Sequence, residues 1–250
     1  MTLFTHLGFQ WDRATIPQNL PIHSIKRVCF RFHRMLPEFV WDAGVLDGNP
    51  LTFTEVKTLL DGVTVGGRKV ADQAQIIGLI RASKYLLAIV RDGRFVLGKA
   101  TLCDLLRLVT SAEISRCGGV FRGEGEETRY TPDVALGEAG RHTPLPTLPG
   151  APELNRVFAA GTRVLTDQVS NAFERACAFF LFGALQQFFF DGNKRTSRFM
   201  MNGVLMSNGI DAISVPAQRA GDFNEKMVRF YLSKDGSEMM AFLLECHPGE

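Results

Sequence analysis

The chain has 250 residues, 46% of them apolar, which is enough to bury one large core or two small ones. Its 28 basic and 26 acidic residues leave a formal charge of +2, which gives no electrostatic reason for nonspecific binding to nucleic acid or to a membrane surface. The five cysteines, Cys29, Cys103, Cys117, Cys177 and Cys246, are scattered without close pairs, so neither a disulfide framework nor a zinc site is expected.

Residues 1–22 carry two prolines and no sustained periodicity, and are expected to form an irregular arm. They hold no basic stretch followed by an apolar run, and no later apolar stretch is long enough to span a bilayer. With the scattered thiols, this points to a cytoplasmic, reducing compartment. Residues 23–250 read as a single helical domain. From His23, the apolar positions Ile25, Val28, Phe32 and Met35 recur at helical spacing, and the pattern is expected to end near Leu36-Pro37 because proline disfavours helix in the residue before it. Thr52 with Glu55 three residues on is a capping box that opens a short helix to Leu60. A further helix is expected over Val70 to Val90, stopping at Asp92-Gly93 and closing an N-terminal helical section, 23–92.

The section 93–135 is expected to hold a helix over Lys99 to Thr110. The glycine-spaced segment Gly118 to Tyr130 that follows suits a small hairpin or a flexible loop. Residues 136–152, with four prolines and three glycines from Gly137 on, should be a surface connection without regular structure. In the last section, 153–250, Asn171 caps a helix whose run Ala176 to Leu185 is apolar on every side, the mark of a buried central helix. That helix breaks at Asp191-Gly192-Asn193, and a new one begins near Lys194 and runs to Ser207.

A turn that opens a helix presents unpaired backbone amides at the positive end of the helix dipole, and such a turn binds anions. Gly192 permits close approach. Lys194, Arg195 and Arg198 add charge, and the two arginines, three apart, project to neighbouring positions where forked donors can grip phosphate oxygens. Among cations and phosphate, the Asp191 carboxylate suits a magnesium ion, a hard cation that prefers oxygen. On local composition alone, a plain helix cap with a solvated basic face explains these residues equally well.

The segment QQFFFDGNKRTSR, Gln186 to Arg198, resembles the Fic motif, His-x-Phe-x-Asp/Glu-Gly-Asn-Gly/Lys-Arg-x-x-Arg. Phe189, Asp191, Gly192, Asn193, Lys194, Arg195 and Arg198 all fall in register, and the likeness extends to LTFTEVKTLLDG upstream and FNEKMVRFYLSKDGSEMMAFLLEC downstream. The resemblance implies a mainly α fold, a Fic-type helical bundle with a small β-hairpin flap. It also implies a nucleotide-binding protein adenylyltransferase that moves AMP from ATP, with Mg2+, to a hydroxyl of a target protein. By register, Asp191 would hold the metal, and the amides of Gly192, Asn193 and Lys194 would form the anion hole. Arg195 and Arg198 would hold the phosphates, and Phe189 would anchor the loop. A hairpin near Gly119 to Thr131 would clamp the target's main chain as an added strand, and Phe230-Tyr231 could line an adenine pocket.

This chain departs from the motif at Gln187, where the family carries the histidine that acts as general base. A carboxamide does not titrate near neutral pH, and loss of a general base costs about two to four orders of magnitude in rate. Weakened transfer and a catalytically silent pseudoenzyme that binds nucleotide or a partner therefore both stay open. Lys194 also occurs in a family branch that transfers a phosphoryl group. Asp47, in Ala43 to Asn49, is the candidate for the inhibitory glutamate that in relatives pairs with the second arginine, here Arg198; a plain Asp-Gly turn is the alternative. A helical nucleic-acid-binding module using the Lys194 to Arg198 patch is disfavoured by the near-neutral charge and by Asp191.

Overall fold

The computed structural model describes residues 3–110 and 118–249, so Cys117 lies outside the described residues. In chain order its α-helices are α1 (Leu3–Leu7), α2 (Ile25–Arg34), α3 (Leu36–Leu46), α4 (Phe53–Leu60), α5 (Val70–Arg91), α6 (Lys99–Thr110), α7 (Pro152–Gln168), α8 (Ala172–Gln186), α9 (Asn193–Ser207), α10 (Ala220–Ser233) and α11 (Ser237–Glu245). Two short strands, β1 (Val134–Ala135) and β2 (Arg141–His142), pair antiparallel, Val134 opposite His142. The architecture is thus a mainly α bundle with one small hairpin. No helix among the described residues is long and apolar enough to cross a membrane.

The centre of the bundle is α8, where every residue from Ala176 to Leu185 is buried. It packs along α9, and the approach is close because Gly183 has no side chain: a Cβ there would collide with Ser197 Oγ. Helices α5 and α6 lie against α9 on one side, with α3 on α5. On the other side, α10 and α11 cover α8 through rings such as Phe180, Phe223 and Phe242. Both caps expected from the sequence form: Thr52 and Glu55 exchange side-chain and backbone bonds, and Asn171 accepts from the Glu174 amide.

Four expectations are corrected. The first helix stops at Met35, but Pro37 does not end helical structure there. Pro37 sits in the opening turn of α3, where a missing N–H costs nothing because that donor has no intrahelical partner. The hairpin lies at Val134–His142 and not at Gly119 to Thr131, whose described residues are turns and bends packed on the core through Phe121. Part of the expected unstructured insert consequently forms β2. The ladder is short enough to end before the prolines begin at Pro144, and Gly137 and Gly140, at φ 62° and 97°, make its turn. The N-terminal arm, meanwhile, carries α1 and docks on the body. Trp11 Nε1 donates to the buried Glu174 carboxylate at 2.8 Å, and Arg13 pairs with the same group.

Candidate functional site

Helix α8 ends in a residue of unusual conformation, Gln187, which sits in the left-handed region at φ 50° and ψ 61°. That reversal sends Phe188 and Phe189 into the core, where Phe188 stacks on Phe121 at 5.0 Å and Phe189 meets its edge at 5.4 Å. The chain then returns through the exposed Asp191 to Gly192, at φ 77°, the residue before α9. Only glycine adopts that angle without strain, and the position is crowded besides, since a Cβ would stand 2.9 Å from Leu106.

The buried side chain of Asn193 brackets the turn from inside. Its Oδ1 accepts from the Phe189 amide at 2.9 Å, while its Nδ2 donates to Phe189 O at 2.8 Å and to Gln187 Oε1 at 2.9 Å. Gln187 Nε2 in turn donates to Ala184 O at 2.6 Å. Both ends of the Gln187 carboxamide are therefore committed within the protein. The first amides of α9, by contrast, have no intrahelical acceptor and stand at the positive end of its dipole.

These elements form one wall of a cavity of about 430 Å³, within the range of small-molecule sites. Gln187 and the run Phe190 to Arg195 line it from the α8–α9 turn and the first residues of α9, Leu46 and Asp47 from the end of α3, Gln75 from α5, and Pro132 to Ala135 from the hairpin. Of the residues expected from sequence, Gln187, Asp191, Gly192, Asn193, Lys194 and Arg195 are thus brought together. Arg198 is close by but does not line this space. Its Nη2 donates to Asp47 Oδ2 at 3.0 Å and approaches Ala43 O at 3.4 Å, and Asp47 Oδ2 is also 3.7 Å from Arg195 Nε. The pairing of Asp47 with the second arginine is therefore present, although α3 itself was not expected.

Asp191 donates no free pair of oxygens to the cavity, because Oδ2 accepts from Arg195 Nη2 at 2.8 Å. No cluster of three or more His, Cys, Asp or Glu side chains among the described residues could hold a metal. A single, largely exposed carboxylate fits a magnesium ion that arrives with its phosphates and keeps several waters, not an all-protein site. Lys194 is partly buried, and burial holds its amine below the usual lysine range, against the opposing pull of Asp47.

Among the described residues, no imidazole lines the cavity. His142, on β2, has its ring engaged elsewhere. Its Nε2 donates to Leu185 O at 2.8 Å, so its Nδ1 is the acceptor that faces Lys234 Nζ at 3.2 Å, and its ring stacks on Tyr231 at 5.1 Å. A second cavity of about 320 Å³ adjoins the first through Val134, Ala135 and Lys194 and is otherwise lined by the hairpin turn and α10, Tyr231 included. Phe230 is not part of it; its ring packs on Phe9. Sequence reasoning missed Gln75, which only the packing of α5 brings in, and Val134–Ala135, hidden by the misplaced hairpin.

No protein-family model matches the chain. Among curated proteins it is similar to the protein adenylyltransferase Fic of Drosophila grimshawi, 27% identical over 186 residues, 71% of this chain and 34% of that protein. The protein of the same name from Drosophila mojavensis is 27% identical over 71% of this chain and 33% of its own length. The chain thus spans about a third of the length of the curated relatives it matches. Among solved structures it is similar to a fragment of Fic-1 from C. elegans, with a TM-score of 0.69 and 16% identity over 90% of this chain and 67% of the other. It is similar also to a Fic-domain signalling protein from Bacteroides thetaiotaomicron, with a TM-score of 0.69 and 16% identity over 98% and 90% of the two chains. At such identities these structures establish the fold.

Proposed function

We propose that the chain is a member of the Fic family, that its cavity binds the polyphosphate of ATP, with Mg2+, and that the protein is an adenylyltransferase weakened at Gln187. The observation that carries this reading is that Gly192, Asn193, Lys194 and Arg195, at the opening of α9, all line one space of about 430 Å³. Arg198 joins them once Asp47 releases it. Asp191 would hold the cation, which would offset the charge of the phosphates, and the adjoining cavity beside Tyr231 would take the base.

In the transfer, a target hydroxyl oxygen attacks the α-phosphorus, the bond from that phosphorus to pyrophosphate breaks, and the hydroxyl proton must leave. Gln187 has no basic atom to take it, and its carboxamide is engaged at Ala184 and Asn193. That engagement, with Arg198 held by Asp47, favours a second reading: a silent pseudoenzyme that binds nucleotide. In either case β1 offers an edge beside the cavity to which a target's extended main chain could add as a strand. The described cysteines are free thiols, which suits a cytoplasmic setting.

Incubation with ATP labelled at the α- or the γ-phosphate, Mg2+ and lysate, for the natural chain and for Gln187→His, separates the readings. Label from the α-position on a protein with the natural chain supports the adenylyltransferase, and label only after the substitution supports the silent form. Transfer of γ-label instead points to phosphoryl transfer aided by Lys194. No labelling by either chain, together with no nucleotide binding, overturns the proposal.

A further inference from the structure

Arg122 is fully buried, and none of its partners is a carboxylate. Nε donates to Gln187 O at 2.6 Å, Nη2 reaches Gln186 O at 3.5 Å, and Nη1 donates to Thr147 Oγ1 at 2.8 Å. Burial pulls the guanidinium down to about 10. An unpaired buried cation is costly, and what offsets it here is the negative end of the α8 dipole, where the last carbonyls need donors. A purely structural C-cap could be supplied by a neutral donor, so the use of a long, charged fork asks what its third arm does.

That arm leads to the hairpin. Thr147 Oγ1, which accepts from Arg122, also accepts from Thr131 Oγ1 at 3.2 Å, and the Thr147 amide donates to Thr131 Oγ1 at 2.8 Å. Thr131 precedes Pro132 to Ala135, which line the cavity, while Gln187 forms part of the opposite wall. The backbone of Arg122 is fixed to that same wall, its amide donating to Phe188 O at 2.9 Å. One side chain therefore spans from the α8–α9 turn to the root of the hairpin. We propose that Arg122, through Thr147 and Thr131, is a positioning residue that sets the spacing between the phosphate-binding turn and the hairpin, and so the width of the nucleotide cavity. The proposal rests on the nucleotide reading for its purpose, but the mechanical link is testable without any ligand.

The test is hydrogen exchange on the whole chain, read at the hairpin, where the Leu136 amide donates to Gly140 O at 2.9 Å, and at the turn, where the Phe189 amide donates to Asn193 Oδ1 at 2.9 Å. Thr147→Val removes the hydroxyl at nearly constant volume and should speed exchange at the hairpin about tenfold or more; it also strands a buried guanidinium donor, so the melting temperature should fall, but the turn should keep more of its protection than the hairpin. Thr147→Ser should restore protection, and Arg122→Met should loosen hairpin and turn together. Calorimetry with Mg·ATP should show weaker binding by Thr147→Val and recovery in Thr147→Ser. Unchanged hairpin exchange in Thr147→Val, or an even loosening of the whole molecule, overturns the link even if ATP binds. Absence of ATP binding to the natural chain, with the hairpin response intact, instead overturns the nucleotide reading alone.

Discussion

Replacement of Asp47 by alanine should raise nucleotide affinity and lower the stability of the free protein. Asp47 Oδ2 lies 3.0 Å from Arg198 Nη2 and 3.7 Å from Arg195 Nε, and the side chains are only 13%, 9% and 8% exposed, so solvent screens these pairs little. Truncating one partner of a buried pair costs about 3–5 kcal/mol because the remaining charge is stranded. Here Arg198 keeps the Ala43 carbonyl and Arg195 keeps Asp191, so the lower part of that range, about 3 kcal/mol, is expected. A phosphate no longer has to displace a charge-assisted bond of about 1.5–3 kcal/mol, which corresponds to roughly 10- to 100-fold tighter binding. Urea unfolding of the free protein and calorimetric titration with Mg·ATP measure the two effects, and Asp47→Asn should fall between. Loss of affinity in step with stability would refute the reasoning, because Asp47 would then be building the site, not occluding it.

Three further outcomes follow from the packing. Gly183→Ala should destabilise the protein by at least the ~1–3 kcal/mol of an overpacked core, since its methyl meets Ser197 Oγ, and adding Ser197→Ala should recover part of the loss in the same unfolding assay. Asn193→Ala removes three bonds that bracket the turn, so it should weaken ATP binding at least tenfold in calorimetry and speed exchange of the Phe189 amide. Burial lowers the pKa of His142 below its unfolded value of about 6.5, so the unfolded chain binds the proton more readily. Stability should therefore be highest above pH ~6.5 and fall as the pH drops from there towards the folded value. His142→Asn should flatten that slope in urea midpoints, but only partly, because burial depresses His247 in the same direction.

Much of this could be read without coordinates because the signals are local. A capping box at Thr52 and Glu55, an apolar run from Ala176 to Leu185 and a glycine between two helices each specify their own geometry. What stayed hidden depends on partners distant in sequence. Pro37 reads as a stop when it opens α3, since a proline after a break and a proline ending a helix look alike in one dimension. The hairpin was sought among the glycines of 118–130, although its turn is made by Gly137 and Gly140 within a segment whose later prolines masked it. Arg122, set among those glycines, looks like a surface charge; only the fold shows it sealed beneath the carbonyls of Gln186 and Gln187. The Asp47 to Arg198 pair spans 151 residues and was suggested by family resemblance, not by spacing.

The most direct test is a calorimetric titration of Mg·ATP into the natural chain and into Arg195→Ala. Saturable binding at one site, weakened by the substitution at least tenfold, is the result this account predicts. Equal affinity in the two proteins, or no heat from either, would contradict the assignment of the α9 turn as a polyphosphate site.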